Sequence, residues 1–495
     1  MKKIVCTTLA ALILLSALLF CACQVDDMAS AAKNADKYVI VAGYDDTSHV
    51  LSVAETVTLT NRTENALKEI KFHVYANDYR QDAKTAVVPG LYRAAAYPNG
   101  DSYGSASIEK VSANGKSVAF SLGGNEDILI VPLETELFPG EKITIEVDCE
   151  IVLANVKHRL GYTQNTVNVG NWFPVLCQTE NGNYKETPYY TFGDPFVTDV
   201  ANFDVTFIAP KGYVVASSGT LAEVTSDGKT DTHHFFADAV RDFAIVASTK
   251  YTKISQTQNG VQVNYFYFAD ENAEATLKLA CDALDYFSKN VAPYPYAQYS
   301  VCETDFCYGG MEYPCLSMVA SGSASLDKAV VHETAHQWFY GIVGNDQIEN
   351  PWMDEGLADF LTADFFDNAG TKSLGEQMSA CAKTYTTYVY VLNRYYDNVD
   401  TSFKSLDAFK SDSEYVILTY VKGSLLFNTM YETTSKTKFY KALSNYCKKY
   451  AFKTATPQNL ADCFASVCGK EVGNVFTAFR QGKEIIGKVT DGKRP

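Results

Sequence analysis

From residue 38 to residue 250 the chain alternates short apolar, β-branched runs with polar turns. Residues 39–41, 56–59, 70–74, 128–131, 143–147, 203–208 and 243–246 read as strands. Asn61-Arg62, Asn99-Gly100, Pro139-Gly140 and Lys211-Gly212 supply turns between them. This pattern predicts an N-terminal all-β, sandwich-like domain over residues 38–250. The period changes near residue 251. Residues 261–268 form one more strand, and 273–290 then carry Leu277, Ala280, Leu284 and Phe287 at helical spacing. Residues 293–302 return to extended chain. Leu326, Ala329, Val330 and Val331 predict a buried helix, and Trp338, Phe339, Ile342 and Val343 continue its pattern. Asp354-Glu355-Gly356-Leu357-Ala358 opens a second apolar helix. Further helices are predicted over 374–393, 415–433, 436–450 and 457–466. Strands followed by helices make residues 251–495 an α+β domain.

Residues 1–23 stand apart as a leader. Lys2 and Lys3 precede an almost wholly apolar run, and Phe20-Cys21-Ala22-Cys23 closes it. The ending resembles a bacterial lipoprotein box with Cys23 as the lipidated residue, and Cys21 competes for that role. The expectation is an exported protein held on the outer face of the cell membrane by lipid, with plain secretion as the alternative. Residues 24–37 read as a short polar tether.

At 47% apolar residues the remainder can bury large cores, so two sizeable domains are within reach. Net charge is −16, and more negative once Lys2 and Lys3 leave with the leader. Such a surface excludes nucleic acid as a partner. Thirteen cysteines include Cys6, Cys21 and Cys23 in the leader. Among the rest, Cys302 with Cys307 and Cys463 with Cys468 are close enough in sequence to pair, while buried free thiols are the favoured expectation.

Chemistry concentrates in Val331-His332-Glu333-Thr334-Ala335-His336. Histidines four apart share one helical face, and His-Glu-x-x-His is the spacing that binds zinc. Glu333 is then the general base on water at the metal. Glu355, after eighteen intervening residues, is the candidate third ligand. One zinc per chain is expected.

These residues resemble the zinc signature of the aminopeptidase N-like gluzincins, a family that includes leukotriene hydrolase. Gly309-Gly310-Met311-Glu312-Tyr313 resembles that family's Gly-x-Met-Glu-Asn exopeptidase motif, with tyrosine in place of asparagine. Tyr420-Val421-Lys422-Gly423 resembles its Tyr-x-Lys-Gly motif, and Asn171-Trp172-Phe173-Pro174 and Gly193-Asp194-Pro195-Phe196 resemble landmarks of its N-terminal β domain. The resemblance implies a thermolysin-like catalytic domain and a zinc aminopeptidase. It implies that Gly309, Gly310, Met311 and Glu312 bind substrate, Glu312 gripping the free N-terminus. Tyr420 would stabilise the tetrahedral intermediate, and Asp359 would receive the second nitrogen of a ligand histidine. The expectation is a short form, ending near the close of the catalytic domain and without the helical domain of the larger members.

Two other readings compete. A thermolysin-like zinc endopeptidase would use the same metal site, and an inactive peptidase-like surface protein would use none of it. Peptides with a free N-terminus are the expected partners.

Overall fold

The structure is a computed structural model that describes residues 28–396 and 399–484. The leader, with Cys23, lies outside the described residues. Residues 28–34, expected to be loose tether, are helical and dock on the first sheet, where Asn202 Nδ2 donates to Ala32 O at 2.7 Å.

Alternation builds the first domain. Along the strand Ala201–Pro210, every second side chain is buried, as a sheet with one packed face requires. An eight-stranded sheet runs in the spatial order Thr220–Ser226, Thr230–Val240, Ala201–Pro210, Asp36–Asp45, Val50–Thr60, Lys142–Val152, Ser105–Ala113, Lys116–Ser117. Its pairs are antiparallel except Asp36–Asp45 with Ala201–Pro210. Two four-stranded sheets accompany it. One is built around Leu67–His73 and Ile128–Leu137, the other around Val167–Val169 and Ile245–Ser248.

A separate five-stranded sheet opens the second domain, in the order Thr252–Gln258, Val261–Tyr267, Gln298–Thr304, Leu316–Ala320, Gly310–Met311. Gly310–Met311 lies at the sheet's edge, paired on one side only, with Val319 and Met318. Helix Ala273–Asn290 buries its Leu277, Ala280, Leu284 and Phe287 face, and it packs on the motif helix Leu326–Ala335. The fold is thus an N-terminal β domain followed by a mixed catalytic-type domain. One continuous apolar cluster, from Tyr38 to Phe479, runs through both.

Three local differences from the sequence reading bear on the site. The motif helix stops at Ala335, with His336 as its cap, although apolar spacing continues to Val343. The chain turns back there: Gly341 N donates to His336 O at 2.9 Å and Tyr340 adopts φ +134°. The helix expected over 415–433 is two pieces, Asp412–Val416 and Lys422–Thr433, joined by Ile417–Val421 wound one residue wider per turn. Such widened turns concentrate at functional positions, and this one holds Tyr420. A last helix, Lys470–Arg480, escaped the sequence reading; it buries Val472, Phe476 and Phe479. All ten cysteines in the described residues are free thiols.

Candidate metal and peptide site

Helix geometry brings the two motif histidines together. His332 Nε2 and His336 Nε2 are 3.0 Å apart, and Glu355 Oε2, from helix Trp352–Asn368, lies 3.1 and 3.2 Å from them. The far nitrogens face oxygen atoms. His336 Nδ1 is 3.0 Å from Phe339 O, a carbonyl that only accepts, so this nitrogen carries the hydrogen. That carbonyl is available because the helix has already ended. His332 Nδ1 faces Asp359 Oδ1 at 3.1 Å. Two imidazole nitrogens and a carboxylate oxygen therefore converge on one point, as three ligands of a metal ion would. Zinc bonds of about 2.0–2.2 Å to such N and O donors suit a triangle of this size.

Burial alone would lower His332, but Asp359 and Glu355 outweigh it and raise its pKa to about 9. Burial would raise Glu355, and its two histidine partners more than offset this, holding it near 2.

Glu333 projects beside this triangle. It is buried, its Oε2 has no hydrogen-bond partner, and a Cβ on Gly310 would sit 2.3 Å from its Oε1. Gly310 thus leaves the room that Glu333 occupies. Burial, opposed by the two histidines, raises the Glu333 pKa to about 7, a value suited to exchanging protons near neutrality.

Tyr420 reaches the same centre from the widened turn. Its hydroxyl donates to Glu355 Oε1 at 2.6 Å, and its ring stacks over His332 with centroids 6.1 Å apart. Burial, reinforced by Glu355, pushes the phenol well above its ordinary pKa, so it remains a proton donor at neutral pH. Two residues of its motif acquire physical reasons. Gly423 packs against Gly356, where an added Cβ would lie 2.6 Å from the Gly423 Cα. This close crossing lets the Tyr420 segment lie over Glu355. Lys422 is fully buried. It donates to Thr401 O and to Phe479 O, and pairs with Glu484 at 3.2 Å, tying the segment to the end of the described chain.

Glu312 joins the same group of side chains. It is buried, accepts from Gln347 Nε2 at 3.2 Å, and lies with Glu333 and His336 in one cluster whose nearest ligand atoms are within 4.8 Å. Burial, and then the neighbouring Asp194, drives its pKa well up. Gln347 also holds Asp354, at 2.8 Å. The departure at Tyr313 is filled in a particular way: its hydroxyl donates to Asn171 Oδ1 at 2.6 Å, fastening the Glu312 segment to the β domain.

Sequence reasoning missed Asp194 and Arg159. Arg159 Nη1 binds Asp194 Oδ1 at 2.6 Å, and Asp194 stands in one cluster with Glu312 and Glu355. The signal was present in Gly193-Asp194-Pro195-Phe196, a motif that marks the domain without announcing a site residue. A cavity of about 460 Å³ between the domains is lined by Glu312, Glu333, His332, Glu355, Tyr420 and Asp194, among others. Gly309 and Gly310 are on its wall, whereas Met311 is buried.

Fold and site together define a two-domain metallopeptidase architecture, and residues 275–479 match the Peptidase family M1 domain. That match spans the motif helix, Glu355 and Tyr420. Among its relatives, leukotriene A-4 hydrolase of Xenopus laevis is 25% identical over 395 residues, 71% of this chain and 59% of that protein. Aminopeptidase N of Oryctolagus cuniculus is 23% identical over 362 residues, 66% of this chain and 36% of that one. The chain therefore spans three-fifths or less of the length of these relatives. The crystal structure of an M1 zinc metallopeptidase from Deinococcus radiodurans superposes with a TM-score of 0.64 at 15% identity, covering 91% of this chain and 94% of that one.

Proposed function

We propose that this protein is a zinc aminopeptidase that removes the first residue from peptides with a free N-terminus. The observation that carries the reading is the buried Glu312, which lines the same cavity as His332 and Glu355 and clusters with His336. His332, His336 and Glu355 would hold one zinc, which supplies Lewis acidity toward the scissile carbonyl and toward water.

The chain's own groups supply the remainder. Glu312 receives the substrate ammonium, so the peptide enters with its first residue against that carboxylate. The edge strand Gly310–Met311 has a free backbone side on which an extended peptide can pair. Glu333 accepts a proton from the attacking water and returns it to the departing amine. Tyr420 donates to the oxygen that gains charge as the carbonyl becomes tetrahedral. Asp359 and the Phe339 carbonyl hold the two imidazoles in the orientation the metal needs. The relatives named as aminopeptidases support this assignment. The apolar leader and Cys23 add export and a lipid anchor to the same proposal.

A panel of aminoacyl fluorogenic substrates tests the reading. Hydrolysis is expected, with loss in 1,10-phenanthroline and recovery when zinc is restored. Hydrolysis that persists in the chelator would remove zinc from the account.

A further inference from the structure

The motif helix brings one more charged group to the cleft. Lys328 lies four residues before His332, on the same face and one turn nearer the helix start. Its Nζ is 2.8 Å from Asp359 Oδ1, the same oxygen that stands 3.1 Å from His332 Nδ1. Lys328 lines the cavity, and its side chain is 53% exposed. An ammonium has three N–H donors, so contact with Asp359 leaves donors for a ligand.

The charge around it is lopsided. Asp194, Glu312, Glu333, Glu355, Asp359 and Asp412 line the cavity. Arg159 lines it too, but its side chain is 5% exposed and bound to Asp194. Among the described lining residues, Lys328 is the one cation open to solvent.

Position along the helix indicates what would reach it. Glu312 clusters with His336, at the helix end. His332 is one turn back, Lys328 one turn further, and Ser325, just before the helix, also lines the cavity. A peptide whose ammonium is at Glu312 and whose first carbonyl is at the histidines therefore continues toward Lys328. One helical turn is about 5.4 Å and an extended residue advances about 3.3 Å. The group that meets Lys328 is thus about one to two residues beyond the scissile bond.

We propose that Lys328 receives a carboxylate at that position, the C-terminal carboxylate of a di- or tripeptide, and so makes short peptides with a free C-terminus the favoured substrates. The inference rests on the aminopeptidase reading of Glu312. An acidic side chain at the same place would present the same chemistry, and the test separates the two sources.

The experiment compares kcat/KM for Xaa-Gly-Gly, its C-terminal amide and Xaa-Glu-Gly amide, with Xaa the best-cleaved residue of the panel. The free acid is expected to exceed its amide on the order of tenfold or more, as a charge-assisted contact implies. Lys328→Gln should bring that ratio near one, and Lys328→Arg should retain it. A ratio is insensitive to any uniform loss from disturbing Asp359. Equal rates for acid and amide in the unaltered enzyme, or an unchanged ratio in Lys328→Gln, overturn the role of Lys328 alone. An Xaa-Glu-Gly amide as fast as the free acid overturns the short-peptide preference. Failure to cleave any peptide with a free N-terminus overturns the aminopeptidase reading and this inference with it.

Discussion

Glu333→Gln is expected to keep its zinc and to lose turnover by about 10²–10⁴-fold, the range that a positioned acid–base group contributes. The substitution preserves shape in a tight space, since Glu333 fills the room beside Gly310. It leaves the ligand triangle of His332, His336 and Glu355 untouched. What disappears is a carboxylate able to take a proton from water and return it to an amine. Metal analysis alongside kcat checks both halves. A variant that loses its metal would mean Glu333 supports the zinc site, and one that keeps its rate would mean another residue is the base.

Tyr420→Phe is expected to lower kcat by about 10²–10³-fold, the usual cost of removing one donor to a developing oxyanion, with little change in KM. The ring would still stack on His332, so packing is retained and only the hydroxyl is lost. Its present acceptor, Glu355 Oε1 at 2.6 Å, keeps the hydroxyl at the metal centre before substrate arrives. Separate determination of kcat and KM checks the role. An unchanged kcat contradicts it. Loss of zinc would reassign Tyr420 to orienting Glu355.

Local spacing made the centre of the site legible. His332, Glu333 and His336 lie within one and a half turns of one helix, so periodicity places the two histidines on one face; Glu355 comes from the next helix, and the packing of the two helices brings it to them. Two helix spans with clean periods were legible for the same reason, since 273–290 and 436–450 have the boundaries the structure gives; strands were legible only in part, the expected 39–41 and 56–59 being the middles of Asp36–Asp45 and Val50–Thr60, with Thr230–Val240 not anticipated. Contacts made by distant segments were not. Asp194 and Arg159 come from the β domain, and only folding sets them beside Glu312 and Glu355. The stop at His336 was hidden because Trp338, Phe339, Ile342 and Val343 are buried at a spacing that suits a helix, while the backbone turns back through Tyr340 and Gly341. The widened turn at Ile417–Val421 left no mark in the apolar pattern either. Lys422 and Gly423 were letters of a motif in the sequence. Their reasons, an anchor to Glu484 and a crossing with Gly356, exist only in three dimensions.

The most direct test of the central claim measures the same peptide with a free and with an acetylated N-terminus. An α-amino group carries its charge at neutral pH or close to it, with an ordinary pKa of about 7.7–8.0. Inside the cleft that charge needs a partner, and Glu312 stands there among Asp194, Glu333 and Glu355; burial and Asp194 raise its pKa, and an ammonium beside it favours the charged carboxylate. Hydrogen bonds to charged groups contribute about 1.5–3 kcal/mol, and about 1.4 kcal/mol is a tenfold change in rate. The free peptide is therefore expected to exceed the blocked one in kcat/KM by about ten- to a hundredfold or more, and Glu312→Ala to lose most of that preference while retaining zinc. Equal cleavage of free and acetylated peptides by the unaltered enzyme would contradict the account and leave an endopeptidase in its place.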